Sequence, residues 1–190
     1  METLYYLSSL CLIFFMVLAT YDGFYLHIWK YELFNKKESL FEHKTHTIRA
    51  ILFPLIICFL FINTVYPWSF YIGLSLVILD LITLGIDAYV ENDSRAFMNG
   101  LPKWEYIIHL FSNSFHFAAI ILIIATRISI SDGALTLTYG LDPGFGKDVM
   151  QFIAINIIPG SIVLALIHLI LILPQGKSLW NAHRLKITCC

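Results

Sequence analysis

Residues 104–126 read WEYIIHLFSNSFHFAAIILIIAT. A hydrocarbon core of about 30 Å needs roughly 20 helical residues to cross it, and this stretch supplies them. Four of the polar residues that interrupt its apolar composition recur at helical spacing. Glu105, His109, Ser112 and His116 follow i, i+4, i+7, i+11, which is one face of a helix. His116 falls about 18 Å along the axis from Trp104, too deep for a headgroup contact. The stretch therefore reads as a transmembrane helix that turns a polar stripe toward protein rather than lipid.

The rest of the chain supports that reading. Hydrophobic residues make up 58% and charged residues 13% of the sequence, against about 25% charged in soluble domains. So sparse a supply of charge cannot solvate a globule, and lipid must cover much of the surface. Further apolar stretches at about 3–29, 50–66, 68–90 and 149–173 join 104–126 as spans. The second is short and carries Pro54 in its first turns. The expected fold is all-α: a polytopic integral membrane bundle of about five transmembrane helices in residues 1–176, then a basic amphipathic tail at 177–190. In that tail Trp180 and Leu185 sit among Lys177, Arg184 and Lys186. The segment Arg127–Asp148, with Gly133, Gly140, Pro143, Gly144 and Gly146, reads as a loop. Pro159-Gly160 reads as a kink in the fifth span.

Other classes lack their signatures. A net charge of −1, without a basic patch, excludes nucleic acid as the expected partner. Cys11 and Cys58 lie in apolar runs, and no C-x-x-C pair exists to suggest a redox or zinc motif. Cys189-Cys190 beside the basic tail form only a weak acylation pattern. The apolar run from Leu4 lacks a basic flank and a cleavage site, so it reads as a retained span.

Orientation follows from Lys and Arg. Ten of the twelve fall on alternate connections: Lys30, Lys36, Lys37, Lys44, Arg49, Arg95, Lys103, Lys177, Arg184 and Lys186. Arg127 and Lys147 fall on the others. The expectation is an N-terminus outside and a C-terminus in the cytoplasm, at the inner membrane if the cell is bacterial. All seven histidines then lie in or near the cytoplasmic half.

A faint repeat organises the ionisable residues. Asp22, near the inner end of one span, precedes Glu42-x-x-x-His46; Asp87, near the inner end of another, precedes Glu105-x-x-x-His109. The two units run in the same sense, as in a parallel repeat about an axis along the membrane normal. Together they offer four carboxylates and two imidazoles, the donor set of a dinuclear centre in a four-helix bundle. Four carboxylates crowded in a low dielectric repel one another, and divalent cations remove that penalty. The candidate metal ligands are Asp22, Glu42, His46, Asp87, Glu105 and His109, with His43, Glu91, His116 and His168 as surrounding groups or further ligands.

Divalent metal is the expected cofactor, with iron placed ahead of zinc and manganese. Iron implies oxidation of a lipid-like substrate; zinc implies hydrolysis of a lipid amide or ester. Haem on His46, His109, His116 or His168 leaves the carboxylates without a role. The sequence also admits a proton or metal-ion transporter lined by Asp80, Asp87 and Glu91, and a non-catalytic assembly subunit. The His-box spacing of membrane desaturases is absent, since no His-His pair exists.

Overall fold

A computed structural model describes residues 1–131 and 133–188. Five helices are long and apolar enough to cross a membrane: α1 (Glu2–Lys30), α2 (Leu40–Ile62), α3 (Pro67–Ser94), α4 (Lys103–Ala125) and α5 (Phe145–Ile172). A sixth, α6 (Pro174–Thr188), follows α5. Cys189 and Cys190, with the acylation pattern read there, lie outside the described residues.

α2 begins at Leu40 rather than near residue 50, so Glu42 and His43 lie in its first turn. Its first backbone bond runs from His43 N to Ser39 O at 2.9 Å. The Ser39 hydroxyl does not cap its own helix; it donates to Ser94 O, 2.6 Å away, tying the start of α2 to the end of α3. Hydropathy discounts Glu42, His43, His46 and Arg49, but in the bundle Glu42 and His43 are buried and His46 and Arg49 are half-buried.

The segment read as a loop carries a hairpin. β1 (Ile128–Ser131) pairs antiparallel with β2 (Ala134–Leu137), with Ile128 opposite Leu137 and Ile130 opposite Leu135. The alternation Ile-Ser-Ile-Ser is a strand signal, and Gly133 turns the chain at φ 74°. α5 starts at Phe145 and runs unbroken through Pro159.

Two helices widen locally. In α1 the coil over Tyr21–Lys30 has i→i+5 bonds and closes with Tyr31 N on Leu26 O at 2.9 Å. In α2 the same happens over Ile57–Ile62, just past Pro54, and ends with Asn63 N on Cys58 O at 2.8 Å. Such wide turns often sit at functional sites.

α1 packs on α4, α2 on α3, and α5 on both α1 and α2, whereas α3 and α4 make at most glancing contact. Between helices in lipid, close packing and small residues replace hydrophobic burial as the driving force. Gly73 is one such residue: a Cβ there would fall on the buried Leu60 side chain. One half of the bundle is an apolar core of Leu12, Phe53, Ile56, Leu60, Ile120 and Ile123. At that end Glu2 accepts from Gly146 N at 2.5 Å. Buried Arg127 donates to Leu60 O there at 2.5 Å, and burial brings its pKa down to about 10. The opposite end, where Asn35 meets Asn181 at 3.1 Å, holds the polar residues.

Candidate metal centre

Arg95 stands at the middle of the polar end with no solvent exposure. Its Nε and Nη2 both donate to Glu105 Oε1, at 2.9 and 2.5 Å. Nη1 donates to Glu42 Oε2 at 2.5 Å and to Ser94 Oγ at 3.1 Å, and Nη2 also reaches His27 Nε2 at 3.1 Å. Burial alone would lower the pKa of this guanidinium; Glu42 and Glu105 outweigh burial and raise it. Beside them the Tyr31 hydroxyl is pushed up to about 12, by burial first and by Glu105 second. Arg95 thus clamps the carboxylates of α2 and α4 by one oxygen each. The other oxygens, Glu42 Oε1 and Glu105 Oε2, are buried without a hydrogen-bond partner. An orphaned carboxylate oxygen costs far more in a buried setting than in water, so two together point to a missing cation or donor.

The remaining groups form two crossed sets. Asp22 Oδ1 on α1 lies 2.8 Å from His109 Nε2 on α4. Asp87 Oδ2 on α3 lies 3.0 Å from His46 Nε2 on α2. Each aspartate therefore meets the histidine of the other sequence unit. His46 Nε2 also lies 3.7 Å from Glu42 Oε1, and His27 Nε2 lies 3.9 Å from that oxygen. These gaps are too long for hydrogen bonds, but they are the separations that two ligands of one ion keep at about 2.0–2.2 Å each. One potential ligand atom from each of Asp22, His27, Glu105 and His109 lies within 4.8 Å of the others, and the same holds for His27, Glu42 and His46. These buried groups could hold a metal ion. On the far side of its ring, His109 Nδ1 pairs with Glu91, a carboxylate–histidine arrangement that orients metal-bound imidazoles. The Asp87 carboxylate likewise accepts from the Thr45 hydroxyl.

A third group lies deeper. Asp80 Oδ2 is 3.1 Å from His116 Nε2, while its Oδ1 accepts from Arg49 Nε at 3.2 Å. Arg49 also donates to Asn113 Oδ1 at 2.8 Å and approaches Asp87 at 4.0 Å, which links this group to the ligand sets. The His116 ring packs on Phe15 and Phe53, with centroids 4.6 and 5.6 Å away. A cavity of about 110 Å³ runs from Asp22, His46 and His109 past Asp80 to His116 and the apolar wall of Phe15, Met16 and Phe53. It has room for several water molecules or for part of a substrate.

Charge sharpens the picture. Asp22, Glu42, Asp80, Asp87, Glu91 and Glu105 are all buried. Among the described residues, two guanidinium groups, Arg49 and Arg95, stand among them. With neutral imidazoles, that leaves four negative charges to be met by protons or by metal cations.

All six residues singled out as ligands converge here, together with Glu91 and His116. His168 lines the cavity. His43 turns from the centre: its Nε2 lies 3.1 Å from His168 O, and the two rings stack at 5.1 Å. Sequence reasoning passed over His27 and gave Arg95 no role beyond orientation. In an ordinary helix, five residues turn Asp22 and His27 about 140° apart, at 3.6 residues per turn. The wider coil of α1 brings them to 3.3 Å. Arg95 lies just past the end of a span, where a basic residue normally meets water. Comparison with family models, curated proteins and solved structures finds no match for this chain.

Proposed function

We propose that the chain is a multi-pass membrane metalloenzyme whose carboxylate–histidine centre near the cytoplasmic face holds two divalent ions and acts on a lipid-like substrate. One ion would take Asp22, His27, Glu105 and His109; the other would take Glu42, His46 and Asp87. A single imidazole nitrogen binds one ion, so His27 would serve the first set, with its Nε2 exchanging the Arg95 contact for the metal, and Asp87 would complete the second. The observation that carries this reading is the pair of orphaned oxygens: Glu42 Oε1, which lies 3.7 and 3.9 Å from His46 and His27, and Glu105 Oε2, on a carboxylate grouped with Asp22, His27 and His109. Iron would supply oxidative chemistry in such a donor set, and zinc would supply an activated water for hydrolysis. The protein's own part is to fix the donors through Arg95 and Glu91 and to present an apolar cavity beside them.

The crossed pairs Asp22–His109 and Asp87–His46 support a parallel two-unit repeat, as do the packing pairs α1–α4 and α2–α3. Transport is the weaker reading. The polar line ends at His116, and the buried residues beyond it are Leu12, Ile56, Leu60, Ile120 and Ile123.

Metal analysis of the purified protein, with its optical spectrum, tests the proposal. The expected result is about two ions per chain for a dinuclear centre. Asp22→Asn and His46→Ala should each remove metal from a different set. Wild-type protein that is equally stable and equally active with and without metal would sink the reading.

A further inference from the structure

α5 seals one flank of the cavity: Ser161, Leu164 and His168 line it from that helix. The opposite flank is built by α3 and α4, which barely touch. Leu84, Ala88 and Glu91 bound the cavity there from α3, and His109, Ser112 and Asn113 from α4. Outside this flank lies a second depression, lined by Ala88, Glu91, Asn92, Leu101, Lys103 and Tyr106. Ala88 and Glu91 line both spaces, so the wall between them is thin at a methyl side chain. No other described helix covers it.

The outer depression has the character of a membrane-surface site. Tyr106 is 57% exposed and Trp104 40%, as expected of aromatic side chains at headgroup level. Lys103 opens α4, where the first-turn N–H groups lack helical partners and the helix dipole favours an anion. Among the described residues it has no acidic partner within ion-pair distance, whereas nearby Lys30 is engaged over the rings of Tyr31 and Trp104 at 5.0 and 4.7 Å. The inner space ends in Phe15, Met16 and Phe53. One lysine at the outer edge, with the neighbouring Glu91 carboxylate turned to His109, a thin threshold beside the candidate metal ligands and an apolar blind end match an amphiphile with one anionic head and one chain.

Resting on the metalloenzyme reading above, we propose that the substrate is a long-chain carboxylate that enters sideways from the bilayer, between α3 and α4. Its head group rests at Lys103, and its chain passes Ala88 into the cavity, so its early carbons lie beside Asp22 and His109. The inner cavity, about 110 Å³, takes part of a single chain, which suits a one-chain carboxylate better than a bulky two-chain phosphodiester.

The probe is palmitic acid carrying a chain diazirine, added to the full-length protein in phosphatidylcholine vesicles, with labelled residues mapped by peptide mass spectrometry. Labelling is expected at Phe15, Met16 and Leu84. Ala88→Trp should abolish it. Lys103→Glu exchanges an attraction to the carboxylate head for a repulsion, so it should reduce labelling by roughly tenfold. Both positions lie away from the packed core, and intact metal content in the same samples shows that the centre persists. Labelling confined to lipid-facing residues such as Phe111 and Val163, unchanged in Ala88→Trp, overturns the proposal. So does cavity labelling by a diazirine phosphatidylcholine but not by the fatty acid. Metal-free wild-type protein that still labels in the cavity would instead count against the metal centre and leave the lateral route standing.

Discussion

Arg95 decides how much of the centre is built before any metal arrives. Four contacts to carboxylates and an imidazole, from α1, α2 and α4, converge on one buried side chain, with a fifth to the hydroxyl of its neighbour Ser94. Removing one partner of such a buried network leaves the others charged and unpaired, a loss of about 3–5 kcal/mol. Arg95→Gln should therefore lower the thermal midpoint in detergent steeply and release metal. Arg95→Lys keeps the charge but loses the fork that holds two carboxylates at once, so it should fall between the two in both readouts. If Arg95→Gln matched wild type in stability, the clamp would have no energetic content. The sequence hid this role because basic residues past a span normally meet water. It showed the acids and His46, His109 and His116 because each recurs at helical spacing inside apolar sequence.

Among the elements, the helices were legible wherever lipid dictates their composition, and obscure where protein does. α3, α4 and α5 lie within a few residues of their expected bounds, since their outward faces are apolar along their length. The helix opened by Glu42-x-x-x-His46 was legible, but its apolar span was bounded near residue 50, because Glu42, His43, His46 and Arg49 depress hydropathy there. The hairpin was missed because glycines dominated the reading of its segment. The wide coil of α1 has no sequence signature, and with it went His27. Helix contact in this bundle depends on small residues, which yields a prediction at the α2–α3 interface. Gly73→Ala places a methyl group on Leu60, which is fully buried and carries the Arg127 contact on its carbonyl. Overpacking of this kind costs about 1–3 kcal/mol. The thermal midpoint should drop while metal content stays at the wild-type value, because the candidate ligands cluster at the opposite end. Loss of metal without loss of stability would mean that the two ends are coupled in a way the packing does not explain.

For the whole molecule, the ends of the bundle and the sides of the membrane are separate questions. Contacts group the Lys30–Leu40 connection, the α3–α4 connection and α6 at one end, through Ser39–Ser94 and Asn35–Asn181. The distribution of Lys and Arg predicts that this end faces the cytoplasm. Reporter fusions at Lys36 and Ser94 should read as cytoplasmic, and fusions at Thr64 and Gly144 as external. A cytoplasmic signal at Gly144 would reverse or miscount the spans. Charge balance over the same end makes the second prediction at this scale. Four uncompensated negative charges among helices in lipid cannot persist without a counter-cation or protons, so ion binding and folding are linked. An ion present at about a thousand times its dissociation constant adds about 4 kcal/mol of stability. Stripping wild-type protein with a chelator should therefore lower its thermal midpoint, and readdition of the native ion should restore it. Asp22→Asn/Asp87→Asn removes one charge from each ligand set. The doubly substituted protein should be less sensitive to chelator than wild type, because it has both less metal to lose and less repulsion to relieve. Equal sensitivity in the two proteins would show that the stabilising ion sits elsewhere, and that protons neutralise this cluster.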